Sequence, residues 1–250
     1  MTYKTDVSIQ VNSVSFHYEE TFGGGRTLKD LVIKKIQNRD NSIHRKCNQI
    51  EDMSFTVSIG EQLGLIGRNG AGKSTLLRLI AGIILPDSGK ITVDGTIAPL
   101  ISIGSGINPE FSVIENVYLT LLYQGYPRSR AKTMIQEIVS NAGLEDKQFQ
   151  PVRTLSVGQL ARLTFFSATN RDNDILLLDE ITSVGDYEFQ AKTRNHLQNF
   201  LSKGKVVVLV SHDLDFIEKN TQRCLWIESG KIIEDDLSHK VISNYRKSMK

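Results

Sequence analysis

The sequence predicts an α/β protein whose mainly parallel sheet carries an antiparallel β portion and an inserted helical lobe. Two continuous apolar runs, at 175–179 and 206–210, are typical of strands covered by helices on both faces of a parallel sheet. Alternating apolar and polar residues at 7–18 indicate a strand with one buried face. Between about 109 and 147 the pattern is mainly helical, with a Gly-Tyr-Pro turn at 125–127.

The segments after the first strand continue the same unit. TLKDLVIKKIQ, at 27–37, predicts a short basic helix. The stretch 48–67 predicts two strands joined by a turn at Gly60 and Glu61. A glycine-rich turn then leads into a helix predicted over 73–85. Its apolar face consists of Leu76, Leu79, Ile80 and Ile83.

The remaining segments complete the sheet. The stretches 90–101 and 221–236 each predict a β-hairpin, and a short polar helix is predicted at about 237–248. All of these elements fit one layered α/β unit. We therefore expect a single domain over 1–250, with its core at about 1–100 and 160–250 and its helical lobe at about 105–159.

Composition argues against several classes of protein. Lys and Arg number 30 and Asp and Glu 28, so the net charge of +2 gives no electrostatic reason to expect a nucleic-acid partner. Cys47 and Cys224 lie far apart without the spacing of a disulfide framework or a zinc site. The first residues lack the basic and apolar regions of a signal peptide, and no apolar run reaches membrane-spanning length. We therefore expect a protein that stays inside the cell.

Residues 67–74, GRNGAGKS, fit the phosphate-loop pattern G-x-x-x-x-G-K-[ST] between a predicted strand and a predicted helix. Glycines let backbone N–H groups face phosphates, and the helix N-terminus adds its dipole. Lys73 is expected to reach the β- and γ-phosphates, and Ser74 to ligate Mg²⁺. A purely structural glycine loop is the weaker alternative. The predicted phosphate-binding residues are Gly67, Asn69, Gly70, Gly72, Lys73, Ser74 and Thr75.

Two carboxylates and a histidine follow the buried strands. Asp179 and Glu180 end the first apolar run, and the carboxyl ends of parallel strands are where ligands of such sheets bind. Asp179 suits Mg²⁺, whereas Glu180 suits the water that attacks a γ-phosphate. His212 follows the second run, where an imidazole can sense the γ-phosphate. Taken alone, the Asp-Glu pair also fits a helix cap with a solvated neighbour.

Five motifs in order resemble the ABC ATPase family: the phosphate loop, LSVGQ at 155–159, ILLLDE at 175–180, SVGD at 183–186 and the Ser211-His212 pair. The resemblance covers nearly the whole chain. It implies ATP and Mg²⁺ as cofactors and the ABC-type nucleotide-binding fold. By itself, LSVGQ fits a helix start capped by Ser156.

The resemblance also implies how the chain assembles and binds nucleotide. One phosphate loop and one LSVGQ motif per chain imply a homodimer with two shared sites. The implied contacts with the nucleotide of the partner come from Ser156, Gly158 and Gln159, and Asp186 would lie near the dimer seam. Tyr18 lies where the family has an aromatic residue that stacks on adenine. Phe16 and His17 compete for that role, and core packing is an equal alternative for Tyr18.

The sequence departs from the family near Ser102 and Ile103, where a glutamine of the γ-phosphate loop would fall and none is present. Gly-Ser-Gly at 104–106 resembles instead the loop of the branch that exports O-antigen, capsular polysaccharide or teichoic acid. The residues around the other motifs resemble the same branch. In that branch the basic helix at 27–37 resembles an element at the membrane interface; a helix packed on its own domain is the alternative.

The resemblance therefore predicts the ATPase subunit of an exporter at the cytoplasmic face of the inner membrane. Its expected partners are a second copy of the chain, two integral-membrane permease subunits and a lipid-linked glycan as cargo. Two alternatives share every nucleotide motif. One is a soluble mechanical or regulatory ATPase without a permease, and the other is a nucleotide-binding regulator with little turnover.

Overall fold

The computed structural model describes residues 7–22, 43–170, 173–179, 198–200 and 202–249. Three predictions fall outside these ranges. They concern the basic helix at 27–37, the carboxylate of Glu180, and the SVGD segment at 183–186 with its Asp186.

The described residues form nine strands and six α-helices. The strands are β1 (Val7–Phe22), β2 (Ile43–Ser58), β3 (Gln62–Ile66), β4 (Ser88–Val93), β5 (Ile97–Leu100), β6 (Ile175–Asp179), β7 (Val206–Val210), β8 (Arg223–Glu228) and β9 (Lys231–Leu237). The α-helices are α1 (Lys73–Ile80), α2 (Val113–Tyr123), α3 (Arg128–Asn141), α4 (Val157–Thr169), α5 (Leu214–Asn220) and α6 (Ser238–Ser248).

A six-stranded sheet in the order β5-β6-β7-β3-β8-β9 forms the centre of the fold. All of its neighbours are parallel except β8 and β9. The two apolar runs form the parallel strands β6 and β7 that the sequence predicts, and the structure shows that they are neighbours. The hairpin predicted at 221–236 is the β8–β9 pair. The prediction of a parallel core with an antiparallel portion is confirmed.

The hairpin predicted at 90–101 is wrong, because its two strands belong to different sheets. β4 pairs with β1 in an antiparallel three-stranded sheet, whereas β5 pairs with β6 in the central sheet. Hydrogen bonds to both sheets hold the segment in which the chain passes from β4 to β5. Asp94 N–H donates to the Ser8 carbonyl at 2.8 Å, and Thr96 donates to Asp174 through its N–H and its hydroxyl at 2.9 and 2.8 Å. These partners are distant in sequence, so the local pattern gave no sign of them.

The helix predicted over 73–85 is shorter than expected. α1 ends at Ile80 in a Schellman motif, in which Gly82 at φ 68° donates to Leu79 and Ile83 donates to Arg78. Ile83 is consequently 59% exposed rather than part of the buried face. The glycine ends the helix before Pro86, which the sequence pattern favoured as the stop.

Two apolar clusters cover the two faces of the central sheet. On β6, Leu176 and Leu178 belong to one cluster with α2, α3 and α4, whereas Ile175 and Leu177 belong to the other with α1 and the three-stranded sheet. All four side chains are fully buried. This period of two explains why the strand reads as a continuous apolar run.

Among the described helices, none combines the length and the apolar character that a membrane-spanning helix needs.

Arg223 joins the two sheets. Its guanidinium binds Asp235 in a bidentate manner, donates to Glu61 at 3.0 Å and donates to the Thr56 carbonyl of β2 at 2.9 Å. The hydrogen bonds to Asp235 and then to Glu61 raise the pKa of Arg223 against the opposing effect of burial. Planar donors suit such a three-way junction better than a lysine would.

We expect Arg223→Met to lower the free energy of unfolding by about 2 kcal/mol, because it leaves half-buried acceptors without a donor. Urea denaturation of the purified protein measures this change. The matched control is Arg153→Met, which breaks an ion pair with Glu110 whose side chains are 59% and 69% exposed. The control should lower the free energy of unfolding by less than about 1 kcal/mol. Equal losses in the two variants would contradict the role of Arg223 in joining the two sheets.

Candidate functional site

The phosphate-loop sequence forms a tight turn between β3 and α1. Gly67, Gly70 and Gly72 have φ values of 147°, 80° and 107°, in the region that favours glycine. A Cβ at Gly67 would overlap the Ile227 carbonyl oxygen, and one at Gly72 would overlap the Gln49 carbonyl oxygen. Positive φ and close backbone approach therefore both require glycine at 67 and 72.

Lys73 begins α1 and is 7% exposed. Its Nζ donates to the carbonyl oxygens of Gly67 at 2.7 Å and Arg68 at 3.0 Å. The buried ammonium thus lies at a helix N-terminus, beneath a turn of main-chain groups. This arrangement concentrates positive charge where a phosphate can bind.

A cavity of about 130 Å³ opens beside the loop. Larger cavities, of about 730 and 540 Å³, lie at α6 and at the β2–β9 edge, away from the predicted motifs. The small cavity is lined by Gln49, Asn69, Gly70, Gly72, Lys73, Ser74 and Thr75. Every polar residue of the motif from 69 to 75 therefore reaches it. Gln49 was not predicted, because it belongs to the alternating pattern of β2 and carries no motif.

Asp179 and His212 lie on neighbouring strands at the carboxyl edge of the central sheet. Asp179 ends β6 opposite Val210 of β7, and His212 follows β7 by two residues. The Asp179 side chain is half-buried and that of His212 is exposed. Since β7 also pairs with β3, this edge is the one from which the phosphate loop departs. Asp179 contributes a hard oxygen donor, as does the half-buried hydroxyl of Ser74.

The three aromatic candidates near residue 18 have different surroundings. The ring of His17 contacts Asp87 at 2.6 Å through Nδ1, and Phe16 packs against the core cluster of α1. The Tyr18 ring meets that of Phe16 edge to face, with centroids 4.9 Å apart. Its hydroxyl lies 3.5 Å from Arg78 of α1. Tyr18 is thus linked to the helix that begins with Lys73 and stays the predicted adenine contact.

Ser156 caps α4 in a capping box. Its hydroxyl accepts from Gln159 N–H at 3.3 Å, and Gln159 Oε1 accepts from Ser156 N–H at 3.0 Å and from Lys147 at 3.2 Å. Ser156 and Val157 are exposed, and Gly158 is half-buried. α4 packs on α2, α3 and β5. The LSVGQ motif therefore forms the capped N-terminus of α4, with its first helical residue exposed.

The loop at 102–106 contacts the same helix. Gly104, at φ 79°, donates its N–H to the Thr164 hydroxyl of α4 at 3.1 Å, and the Ser102 and Ser105 hydroxyls bind each other. A loop that lacks the expected glutamine is thus joined to the helix of the LSVGQ motif. Sequence alone did not indicate this contact.

Comparison with known proteins adds independent findings. A family model described as "ABC transporter" matches residues 50–183, more than half of the chain. The chain is 37% identical over 225 residues to the O-antigen export system ATP-binding protein RfbB of Klebsiella pneumoniae, covering 90% of this chain and 92% of that one. It is 38% identical over 223 residues to the teichoic acids export ATP-binding protein TagH of Bacillus cereus, covering 89% of this chain but 39% of TagH.

A solved structure shows the same fold at lower identity. It is the dimeric structure of a post-hydrolysis state of the ATP-binding cassette MJ0796 bound to ADP and Pi. The match has a TM-score of 0.74 at 19% identity, and it covers 92% of this chain and 98% of that one.

We expect Gly67→Ala to weaken nucleotide binding at least about tenfold and to lower stability by roughly 2 kcal/mol, because the new Cβ displaces the loop from Ile227. Gly82→Ala is the matched control, since Gly82 also has a positive φ, 68°, but has nothing within 4 Å of its Cβ position. Calorimetric titration with nucleotide and thermal unfolding measure the two effects. Normal nucleotide affinity in Gly67→Ala would refute the role of the close approach.

Proposed function

Since the chain belongs to the ABC transporter family, we propose that it is an ATPase subunit that works as a homodimer and drives export of a lipid-linked polysaccharide through a membrane permease. The observation that carries this proposal is the phosphate loop, whose glycines at positive φ and buried Lys73 form an anion site at the N-terminus of α1. The names of the relatives RfbB and TagH support ATP as the nucleotide.

ATP binds with its phosphates on the loop from Gly67 to Thr75. Backbone N–H groups and the α1 dipole hold the anion, while Lys73 exchanges its bonds to the loop carbonyls for phosphate oxygens. The exchange is favourable, because a charged phosphate is a stronger acceptor than a neutral carbonyl. Tyr18 stacks on the adenine ring.

The reacting end of the nucleotide lies at the carboxyl edge of the sheet. Ser74 and Asp179 fit Mg²⁺ as hard oxygen donors, and the ion supplies charge that neutralises the phosphates. Glu180 follows Asp179 directly and orients the attacking water as its base. His212, exposed after β7, contacts the γ-phosphate. These roles make the protein an enzyme of phosphoryl transfer to water.

A second copy of the chain completes each site. Ser156, Gly158 and Gln159 lie at the N-terminus of α4, where Ser156 is exposed, and contact the γ-phosphate that is bound to the other protomer. Asp186 lies at the seam between the two copies. Closing the dimer around two ATP molecules couples nucleotide binding to movement of the permease.

The printed names of the relatives support the proposed class of cargo. RfbB is named as an O-antigen export protein and TagH as a teichoic acids export protein. In the proposed assembly the chain lies at the cytoplasmic face of the inner membrane, binds two permease subunits and drives transport of a lipid-linked glycan. The basic segment at 27–37, which the sequence predicts to be helical, contributes to contact with the membrane interface in this arrangement.

Glu180→Gln should reduce ATP hydrolysis at least about 100-fold, because the amide keeps the shape of the carboxylate and loses its basicity. ATP binding should remain, and the variant should accumulate as a dimer with ATP. Steady-state phosphate release and size-exclusion chromatography measure the two effects. Undiminished turnover would remove Glu180 from the mechanism.

The transporter itself is tested by affinity purification of the Glu180→Gln protein from membranes in mild detergent with ATP present. We expect a polytopic permease in matching amount, identified by mass spectrometry, because ATP holds the closed assembly together. Lys73→Ala, which cannot hold the nucleotide, is the control and should recover less permease. Recovery of a soluble dimer alone would favour the ATPase without a permease.

A further inference from the structure

The phosphate loop packs against the β8–β9 hairpin. Ile66, the last residue of β3, is paired with Trp226. The Ile227 carbonyl oxygen leaves no room for a Cβ at Gly67. On the far side of the loop, Gly230 N–H donates to the Ala71 carbonyl at 3.1 Å. The hairpin therefore contacts both the start and the end of the loop.

The C-terminal helix α6 in turn packs on this hairpin. Tyr245 is 6% exposed, and its ring meets Trp226 edge to face with centroids 5.4 Å apart. Val241 and Ile242 of the same helix are fully buried. Burial raises the pKa of Tyr245, and the charge of Arg68 in the loop opposes this rise. α6 thus reaches the phosphate loop through one aromatic contact.

The neighbouring residue of α6 contacts the other half of the site. Arg246 Nη2 binds Asp215 Oδ1 at 2.6 Å, in the first turn of α5. Asp213 caps α5 by accepting from Phe216 N–H at 3.0 Å, and it donates its own N–H to Ser211 at 3.1 Å. His212 lies between these two anchored residues. A shift of α5 therefore moves His212.

We propose that α6 is a brace that positions both halves of the nucleotide site, with Tyr245 acting on the phosphate loop through Trp226 and Arg246 acting on His212 through Asp215. Both are positioning residues, since neither touches the nucleotide. The inference rests on the proposed function as an ATPase. The brace differs from a helix that only stabilises the fold, because Tyr245 then affects Kd and KM for ATP whereas Arg246 affects kcat.

Tyr245→Leu tests the first contact. We expect its Kd and KM for ATP to rise about tenfold with kcat nearly unchanged, because loss of the ring contact loosens the hairpin under the loop. Tyr245→Phe keeps the ring and should stay within about twofold of the wild type. Tyr123→Leu, the same substitution at a tyrosine that is 83% exposed, is the matched control. Equilibrium titration with a fluorescent ATP analogue and steady-state ATPase assays measure these constants.

Arg246→Gln tests the second contact without threatening the fold, because the Arg246 and Asp215 side chains are 48% and 73% exposed. We expect kcat to fall about threefold with KM unchanged. The effect is small because the ion pair that orients His212 is exposed and therefore weak. The double variant Asp215→Arg/Arg246→Asp should restore kcat. Lys247→Gln, the neighbouring exposed cation, should behave as the wild type.

A helix that only stabilised the fold would not separate nucleotide binding from turnover in this way. Lower thermal stability with unchanged KM and kcat in both variants would overturn the brace, and so would equal damage from Tyr245→Phe and Tyr245→Leu. Failure of the charge swap to restore kcat would overturn the second contact. A wild type that neither binds nor hydrolyses ATP would refute the proposed function and the brace with it, whereas an active wild type matched by all variants would refute the brace alone.

Discussion

A backbone-to-backbone contact holds the phosphate loop in place. The Ile227 carbonyl of β8 occupies the space that any Cβ at position 67 would need, and Gln49 does the same at position 72. Because main-chain atoms cannot give way as a long side chain can, the loop is held by its neighbours on both sides. The buried Lys73 can then be surrounded by polar groups, which makes burial of its charge tolerable.

The strand order of the central sheet turns this loop into a site. β3, β7 and β6 are consecutive and parallel, so their carboxyl ends meet at one edge. That edge brings Asp179 and the turn containing His212 next to the loop, although more than 100 residues separate them from it. Apolar clusters cover both faces of the sheet and exclude water from its strands. The carboxyl edge is therefore where polar side chains of the sheet meet solvent. The proposed ATPase chemistry uses this edge.

Local patterns predicted those elements whose burial is evident from the spacing of their apolar residues. Continuous apolar runs identified β6 and β7, and alternation identified β1. The phosphate-loop motif predicted which residues from 69 to 75 face the cavity, because each residue type in it has its own steric or chemical reason. The pattern at 90–101 misled, since strands of two different sheets look like a hairpin when only a short turn separates them.

The sequence by itself therefore determined the fold class, the glycine positions of the loop and the residue types suited to phosphate, since these follow from hydrophobic period and backbone sterics. Only the tertiary structure decided which strands neighbour one another, that Gln49 joins the cavity and that Tyr245 packs on Trp226. Such contacts join residues far apart in sequence. Their energy depends on packing in three dimensions, which no local pattern records.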